Sequence, residues 1–505
     1  MSEIDYGNPD VIVVGAGNAA SCSALSARQS GAANVIMLEV SPEEISGGNG
    51  RFTGGGFRFP FSGIDDLRKL MPDLTDEEVA RFEFGTYSEE DYFDDMGRTT
   101  NYRTDPDLCE ILVKQSYPTM LWLRQNGVRF EPTFANSFNI GGKVRFWGGL
   151  ACVMWGGGPG LMEMQHKAVK AAGIKMFYET RAIGLIVNED GSVGGVKVRH
   201  KGRTYEIRSK AVILACGGFS ANAEMRSRYL GPGWDLAKVR GSRYNVGDGL
   251  RMAWDIGAMS YGHFSGCHAC PWDLNATPFG DYKVGDQFQK HSYPLGIMVN
   301  ARGERFLDEG SDIRIYTYAK FGGIIMQQPG MFAWQIFDAK AIPLLRSEYR
   351  IKQITKVSAN SLEELVKKLE GVDAEACLRE IKQFNDAVQV DVPFDPVVRD
   401  GRGTVGLKVP KSNWANRIDT PPFEAYATTC GVTFTFGGLK ISTSSEVEDV
   451  AGKPIPGLYA AGEVVGGLFY HNYPAGAGLM GGSVFGRIAG RSAAARAAKQ
   501  SKMVA

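Results

Sequence analysis

Val11-Ile-Val-Val14 runs without interruption into Gly15-Ala-Gly17-Asn18-Ala19-Ala20, and no other stretch limits the fold so tightly. A short apolar run, a glycine turn and a small-residue helix, predicted over Ala19 to Ser30, read as a buried strand feeding a helix. A second strand, predicted over Asn34 to Glu39, completes a βαβ unit whose last residue is an acid 24 positions beyond Gly15. Gly15 permits the tight turn and Gly17 lets the backbone approach a pyrophosphate. Ala20 keeps the helix against the strand, and Glu39 can accept from an adenosine ribose hydroxyl. Asn18 and Ala19 complete the turn and belong with Gly15, Gly17, Ala20 and Glu39 as candidate binding residues. The unit binds a dinucleotide, NAD or FAD.

A second glycine cluster, Gly47-Gly-Asn-Gly-Arg-Phe-Thr-Gly-Gly-Gly56, follows Glu39 and suits a backbone lying against the flavin end of FAD. Gly48, Asn49, Gly50, Thr53, Gly54 and Gly55 are its candidate contacts. Near the other terminus, a strand predicted over Leu458 to Ala461 ends in Gly462-Glu463, and a glycine-rich turn then opens a helix. The first amides of that helix are free to donate, which places Glu463, Gly478 and Leu479 at a flavin ring. Gly476-Ala-Gly-Leu-Met-Gly481 also matches GxGxxG, but no βαβ unit with a terminal acid follows it, so direct use of NADPH is not expected. The cofactor reads as FAD.

The chain has 505 residues, long for one core, and 44% of them are hydrophobic, enough for two. Lys plus Arg equals Asp plus Glu at 56 each, so no electrostatic argument favours nucleic acid, and a small molecule is the expected partner. The N-terminal Met-Ser-Glu-Ile-Asp-Tyr lacks the basic and apolar regions of a signal peptide, and no run approaches ~18 apolar residues. A cytoplasmic chain without an integral membrane segment is expected. The eight cysteines show no pairing pattern and read as buried thiols. Cys267-His-Ala-Cys270 has no second CxxC to complete a zinc site, and no metal is expected.

Helices are predicted over Thr75 to Ala80, Pro106 to Gln125 and Met162 to Ala172, the last after a glycine cluster at Trp155 to Leu161. Strands over Lys175 to Tyr178, Ala182 to Asn188, Gly194 to Lys201 and Arg203 to Arg208 read as a meander, and Ala211 to Cys216 as a further buried strand. From about Gly257 the composition shifts to interleaved aromatics, prolines and polar residues, with helices predicted over Ser361 to Leu369 and Ala374 to Val388. The fold class is α/β: a discontinuous Rossmann-type, GR2-like FAD-binding domain (1–268 and 433–505) with an inserted α+β capping domain (269–432). Trp147, Trp155 and Tyr293 read as core packing or interface filling.

The βαβ unit, the Gly47–Gly56 cluster, Ala215-Cys216-Gly217-Gly-Phe219, Gly247-Asp248-Gly249, Asn300-Ala-Arg-Gly-Glu-Arg-Phe306 and the closing segment together resemble the fumarate reductase and succinate dehydrogenase flavoproteins. Asp312-Ile-Arg314, Tyr316-Thr-Tyr318-Ala319, Lys411 to Asn416, Thr433-Phe-Thr435-Phe-Gly-Gly438 and His471-Asn-Tyr473-Pro474 are most similar to FAD-dependent tricarballylate dehydrogenases. The resemblance covers essentially the whole chain. It implies a mobile capping domain, a substrate site between the two domains, hydride exchange between a substrate carbon and flavin N5, and cofactor contacts from Ala182, Cys216, Gly217 and Asp248.

Where fumarate reductases have a carboxylate-holding histidine, this chain has Thr433, followed by Thr435 in the threonine place; where they have arginine it has Tyr473. A phenol cannot replace a bidentate guanidinium, but it can donate to a ketone oxygen and stabilise an enolate. At Tyr473 the chain resembles ketosteroid dehydrogenases. Arg314 lies near the superfamily's proton-transferring arginine; Tyr316 and Tyr318 are rivals, because arginine is a poor base. His268 falls eleven residues after Gly257, as the superfamily's substrate histidine does after its Gly-Ala pair, and a hydrogen-bonded core histidine is its alternative role. Phe52 occupies the place of the histidine that carries covalent flavin in relatives, so FAD is expected to be non-covalent.

The expected activity is an FAD-dependent oxidoreductase on CH–CH bonds, a dehydrogenase (desaturase) forming C=C beside a carbonyl. Its substrate is a tricarballylate-like carboxylate or a cyclic ketone of the 4-oxocyclohexanecarboxylate or 3-ketosteroid type. Electrons leave to a separate acceptor, a protein, quinone or oxygen, since no haem or iron-sulfur motif is present. A fumarate-reductase-type enoate reductase and a flavin oxidase are the alternatives.

Overall fold

The computed structural model describes residues 4–146 and 148–504. The chain divides into two compact units: Met1–Pro232, Gly241–Cys267 and Thr433–Ala505 form the first, and Gly233–Arg240 with His268–Val432 the second. This differs from the expected division at two places. Lys238 and Val239 pair with Gly431 and Val432, which draws residues 233–240 into the second unit, and His268 falls there as well.

In the first unit β1 (Val11–Val14) lies between β2 (Val35–Leu38) and β3 (Ala211–Leu214), parallel to both. Beyond β3 come β4 (Pro454–Ala460) and the antiparallel edge strand Glu446–Glu448, and beyond β2 lies Lys175–Phe177. Every residue of β1, β2 and β3 is buried, which is why these strands read as unbroken apolar runs. Lys175–Phe177 pairs in parallel with β2 and so leaves the expected meander, whose other strands form a separate antiparallel sheet of Thr180–Val187, Val193–His200 and Arg203–Arg208. Periodicity identified the strand but carries no information about its partner.

Three helices fix the cradle. Helix α1 (Asn18–Gln29) follows β1, α2 (Gly157–Ala171) packs on the Gly48–Phe52 turn, and α3 (Ala477–Val504) packs along α1. Helix α2 starts five residues before the expected Met162, because the chain turns through left-handed Gly156 and Gly157 and is helical from there. A Cβ on Gly158 would meet the Gly50 carbonyl oxygen at 2.5 Å, so this turn lies directly on the second glycine cluster. Along α3, Gly482, Gly486 and Gly490 recur every fourth residue; a Cβ on Gly490 would meet the Ser23 carbonyl oxygen at 2.3 Å and one on Gly486 the Ala19 oxygen at 2.7 Å. Backbone meets backbone along this seam, which the small residues of α1 permit.

The second unit has its own sheet, in which Phe423–Leu439 pairs with Lys238–Val239, Ala333–Phe337, Lys356–Ala359 and Ser260–Asp273, while Ile297–Val299 adds to Ala333–Phe337. Helices Leu362–Lys367 and Ala374–Ala387, capped by Ser361 and Asp373, bury Leu365, Val366, Cys377, Ile381 and Phe384 against Trp334, Ile336, Ala425 and Ala427. Among the described residues no helix is long and apolar enough to cross a membrane.

Candidate active site

The first unit brings the glycine clusters together. Gly15 has a φ of +114°, and a Cβ there would meet the Ala215 carbonyl oxygen at 2.4 Å, so only glycine allows β1 to turn beside β3. Gly17 precedes α1 in extended conformation without a side-chain cap, which leaves the first-turn amides for an anion. The turn is held from outside: His166 Nε2 lies 2.8 Å from the Ala16 carbonyl oxygen, and Gln165 donates to Asn18 Oδ1 at 2.8 Å. Asn18 Nδ2 in turn donates to the Leu479 carbonyl at 3.0 Å and to Ser483 Oγ at 3.1 Å. One buried amide thus ties the phosphate turn to the first turn of α3. Ala19 and Ala20 are buried behind it. Glu39 is buried after β2, accepts from the Ser41 amide at 2.9 Å, and has its proton affinity raised by burial.

In the second cluster a Cβ would find open space at Gly48, but would strike Met162 Sδ from Gly50 at 2.8 Å and Met154 Sδ from Gly55 at 2.3 Å. Thr53 accepts from the Gly55 amide through its hydroxyl and from the Gly158 amide through its carbonyl, and Gly54 is exposed. Phe52 is buried. The glycines leave backbone where side chains would fill the cradle, and Glu39 is a carboxylate at the end of β2 that could accept from a ribose; the residues fit FAD.

Glu463, buried in the 3-10 turn after β4, gathers the rest. Its carboxylate accepts from the Thr435 amide at 2.9 Å, the Thr435 hydroxyl at 3.2 Å, Asn245 Nδ2 at 3.0 Å and Asn49 Nδ2 at 3.2 Å. Burial pushes its pKa up to about 7 against the pull of those bonds. Gly217 and Gly218 press on the same group, since Cβ atoms there would overlap Asn245 Oδ1 and Thr435 Oγ1, each at 2.1 Å. Thr435 is fully buried and its hydroxyl also accepts from the Phe219 amide at 3.3 Å. Its hydroxyl and amide thus both belong to this network. Thr433 is half-buried, and its carbonyl accepts from Asn49 at 2.7 Å.

The remaining expected cofactor contacts have these neighbours within the protein. Asp248 holds Arg181 through two 2.8 Å bonds and also pairs with Arg251. Ala182 is buried opposite Val198, and the Cys216 thiol is pushed up to about 12 by burial. All eight cysteines are free, and Cys267 and Cys270 are both buried. Among the described residues no cluster of three His, Cys, Asp or Glu side chains could hold a metal.

Tyr473 stands half-buried against the first turn of α3. Its ring is parallel to Phe434 within 3° at 6.4 Å and meets Phe469 edge-on at 5.3 Å, and a Cβ on Gly478 would lie 3.5 Å from it. The loop that carries it is anchored by Arg58, which is fully buried, donates to the Ala475 carbonyl at 2.9 Å and pairs with Asp95 at 2.7 Å.

In the second unit the Arg314–Tyr316 turn leads into helix Tyr318–Met326. Arg314 is buried rather than at the surface, and its pKa is lowered to about 9 by burial and by Arg346. The Tyr318 ring lies between two imidazoles that meet it edge-on, His268 and His291, each at 4.9 Å. Both histidines are buried and held well below their usual proton affinity, chiefly by desolvation. Tyr316 is half-buried. Tyr293 is fully buried, as expected, with its hydroxyl 2.6 Å from Thr317 Oγ1. Trp155 is 52% exposed beneath the Arg129 guanidinium and so is not packed in a core. Trp147 lies outside the described residues.

Asn245, Ser483, Arg58 and His291 have no motif of their own. Only Asn245 had a signal, its place two residues before Gly247-Asp248-Gly249.

A family model described as an FAD binding domain matches residues 10–479. A probable fumarate reductase, Ifc3, of Shewanella frigidimarina is 30% identical over 499 residues, spanning 96% of this chain and 75% of that protein. A 4-oxocyclohex-2-ene-1-carboxylate 5-dehydrogenase of Sinomonas cyclohexanicum is 29% identical over 382 residues, 68% of this chain and 60% of that one. The open conformation of a flavocytochrome c3 fumarate reductase superposes with a TM-score of 0.73 at 28% identity, over 97% of this chain and 79% of the other. The chain belongs to the FAD binding domain family of fumarate reductase and succinate dehydrogenase flavoproteins, and is an FAD-dependent oxidoreductase.

Proposed function

We propose that the enzyme is a dehydrogenase that forms a C=C bond beside a carbonyl group of a small carboxylate or cyclic ketone. The observation that carries this reading is Tyr473, a phenol fixed by Phe434 and Phe469 beside the first turn of α3, where fumarate reductases have a guanidinium. Its hydroxyl polarises the carbonyl oxygen and stabilises the enolate as the α-proton leaves. The base that takes the α-proton is Arg314, Tyr316 or Tyr318, which stand on one turn and the start of the helix after it; burial lowers the Arg314 pKa to about 9. FAD, when bound, supplies the acceptor for the β-hydrogen as hydride. The Asn18 tether keeps the first turn of α3 in place, where the Gly478 and Leu479 amides would meet the negative charge of a reduced flavin.

The named relative that desaturates an oxocyclohexene carboxylate supports this direction; the relative named a probable fumarate reductase supports the reverse one. Anaerobic mixing with tricarballylate, 4-oxocyclohexanecarboxylate and a 3-ketosteroid tests the proposal. At least one bleaches the flavin absorbance, and Tyr473→Phe slows that bleaching by about 100-fold, as loss of an oxyanion donor does, without release of FAD. Unchanged kinetics in that variant would remove Tyr473 from the mechanism. Oxidation of a reduced viologen by fumarate, with no bleaching by any of the three, would establish the reductase instead.

A further inference from the structure

We propose that His291 is a binding residue for a carboxylate of the substrate, a proposal that rests on the dehydrogenase reading. Its imidazole is 1% exposed, and among the described residues neither ring nitrogen has a hydrogen-bond partner. Buried polar atoms are almost always paired, so an imidazole whose two nitrogens are both buried and unpartnered calls for a ligand. Slack in the chain does not explain it, because the backbone on either side is pinned. The Lys290 amide donates to the Pro271 carbonyl at 3.0 Å, and Gln335 donates to the Lys290 carbonyl at 2.8 Å. The Ser292 amide donates to the Tyr349 hydroxyl at 2.8 Å, and Ser292 Oγ accepts from the Arg346 amide at 3.1 Å. A fixed backbone therefore holds a side chain whose ring nitrogens have no hydrogen-bond partner among the described residues.

The charges around it select the ligand. Arg314, Arg346 and Arg240 act on His291 and disfavour its protonation, after desolvation as the larger cause. Arg346 is paired with Glu348 and Arg240 with Asp286, and the Tyr318 ring covers one edge of the imidazole. The field at His291 is that of cations. A ketone oxygen would use only the N–H donor, whereas a carboxylate uses both the donor and the field. By linkage, a carboxylate beside His291 raises its proton affinity, so binding takes up part of a proton and tightens as pH falls.

Malonate and acetone are suitable probes, because neither has the Cα–Cβ pair that desaturation needs and both leave the FAD-loaded enzyme oxidised. Calorimetry in two buffers of different ionisation enthalpy measures affinity and proton uptake together. Malonate binds with proton uptake to the parent enzyme. His291→Gln weakens it about tenfold, the equivalent of one charge-assisted hydrogen bond, and abolishes the uptake while acetone binding and the flavin spectrum stay as they were. His291→Asn serves if the glutamine variant fails to hold FAD, and proton uptake by the parent enzyme is a readout that a purely structural histidine would not give. The proposal is overturned if malonate does not bind, binds without uptake, or binds the variant equally well, or if acetone weakens as much as malonate. Bleaching by a ketone without malonate binding would sink this proposal alone; His291-dependent malonate binding without any bleaching would sink the dehydrogenase alone.

Discussion

Glu463 accepts hydrogen bonds from Thr435, Asn245 and Asn49, yet burial still outweighs them and leaves its pKa at about 7, above the ordinary 4.5. The folded protein therefore holds a proton that the unfolded chain releases. That contribution is complete below pH ~4.5 and is lost as pH rises through about 7, by at most about 3 kcal/mol. Urea unfolding of the FAD-free protein at pH 5 and pH 8 measures it. The parent loses more stability across this interval than Glu463→Gln, which keeps the hydrogen-bonding shape without a titrating proton. Parallel losses in the two proteins would show that the proton resides elsewhere. Gly15, Gly50 and Gly55 were legible in the sequence because a side chain at each would strike a neighbouring part of the chain. Asn245, Ser483 and His291 were not, because an amide, a hydroxyl or an imidazole acquires meaning only from neighbours that lie far away in the chain.

At the level of elements, the decisive packing is that of α1 against α3. The β1-α1-β2 unit was readable because its strands are buried on both faces and its turn requires glycine. The α2 start was hidden, since a helix that opens with Gly157-Gly-Pro-Gly160 runs against propensity and exists because Gly158 lies on the Gly50 carbonyl. Pairing of Lys175–Phe177 with β2 was hidden for another reason: period-two alternation marks a strand without naming its partner. The α1–α3 seam offers a graded test. A methyl at Gly490 meets backbone at 2.3 Å, whereas one at Gly482 meets first the Asn18 side chain at 3.2 Å. Gly490→Ala must push the helices apart, costing about 1–3 kcal/mol and weakening FAD retention through the Asn18 tether, whereas Gly482→Ala stays within about 1 kcal/mol. Thermal unfolding and FAD release rates of the two variants check this; equal effects would mean that the seam yields without strain.

For the whole molecule, two units with separate cores make different demands on the cofactor. All of the cradle residues, from Gly15 to Leu479, belong to the first unit, while the second has its own hydrophobic core of Leu365, Ile381, Phe384 and Trp334. A ligand stabilises only those states that bind it, so FAD should protect the unit that holds its contacts and leave openings confined to the other unit unaffected. Adding FAD at about 100 times its dissociation constant slows exchange from openings that disrupt the cradle by up to about 100-fold. Hydrogen exchange read by mass spectrometry resolves this peptide by peptide. The β1, α1, β3, β4 and α3 peptides gain protection, and those of helices Leu362–Lys367 and Ala374–Ala387 do not. Equal protection in both sets would show that the chain opens as one cooperative body, and that the two long strands through which it passes between the units, Ser260–Asp273 and Phe423–Leu439, transmit cofactor binding from one core to the other.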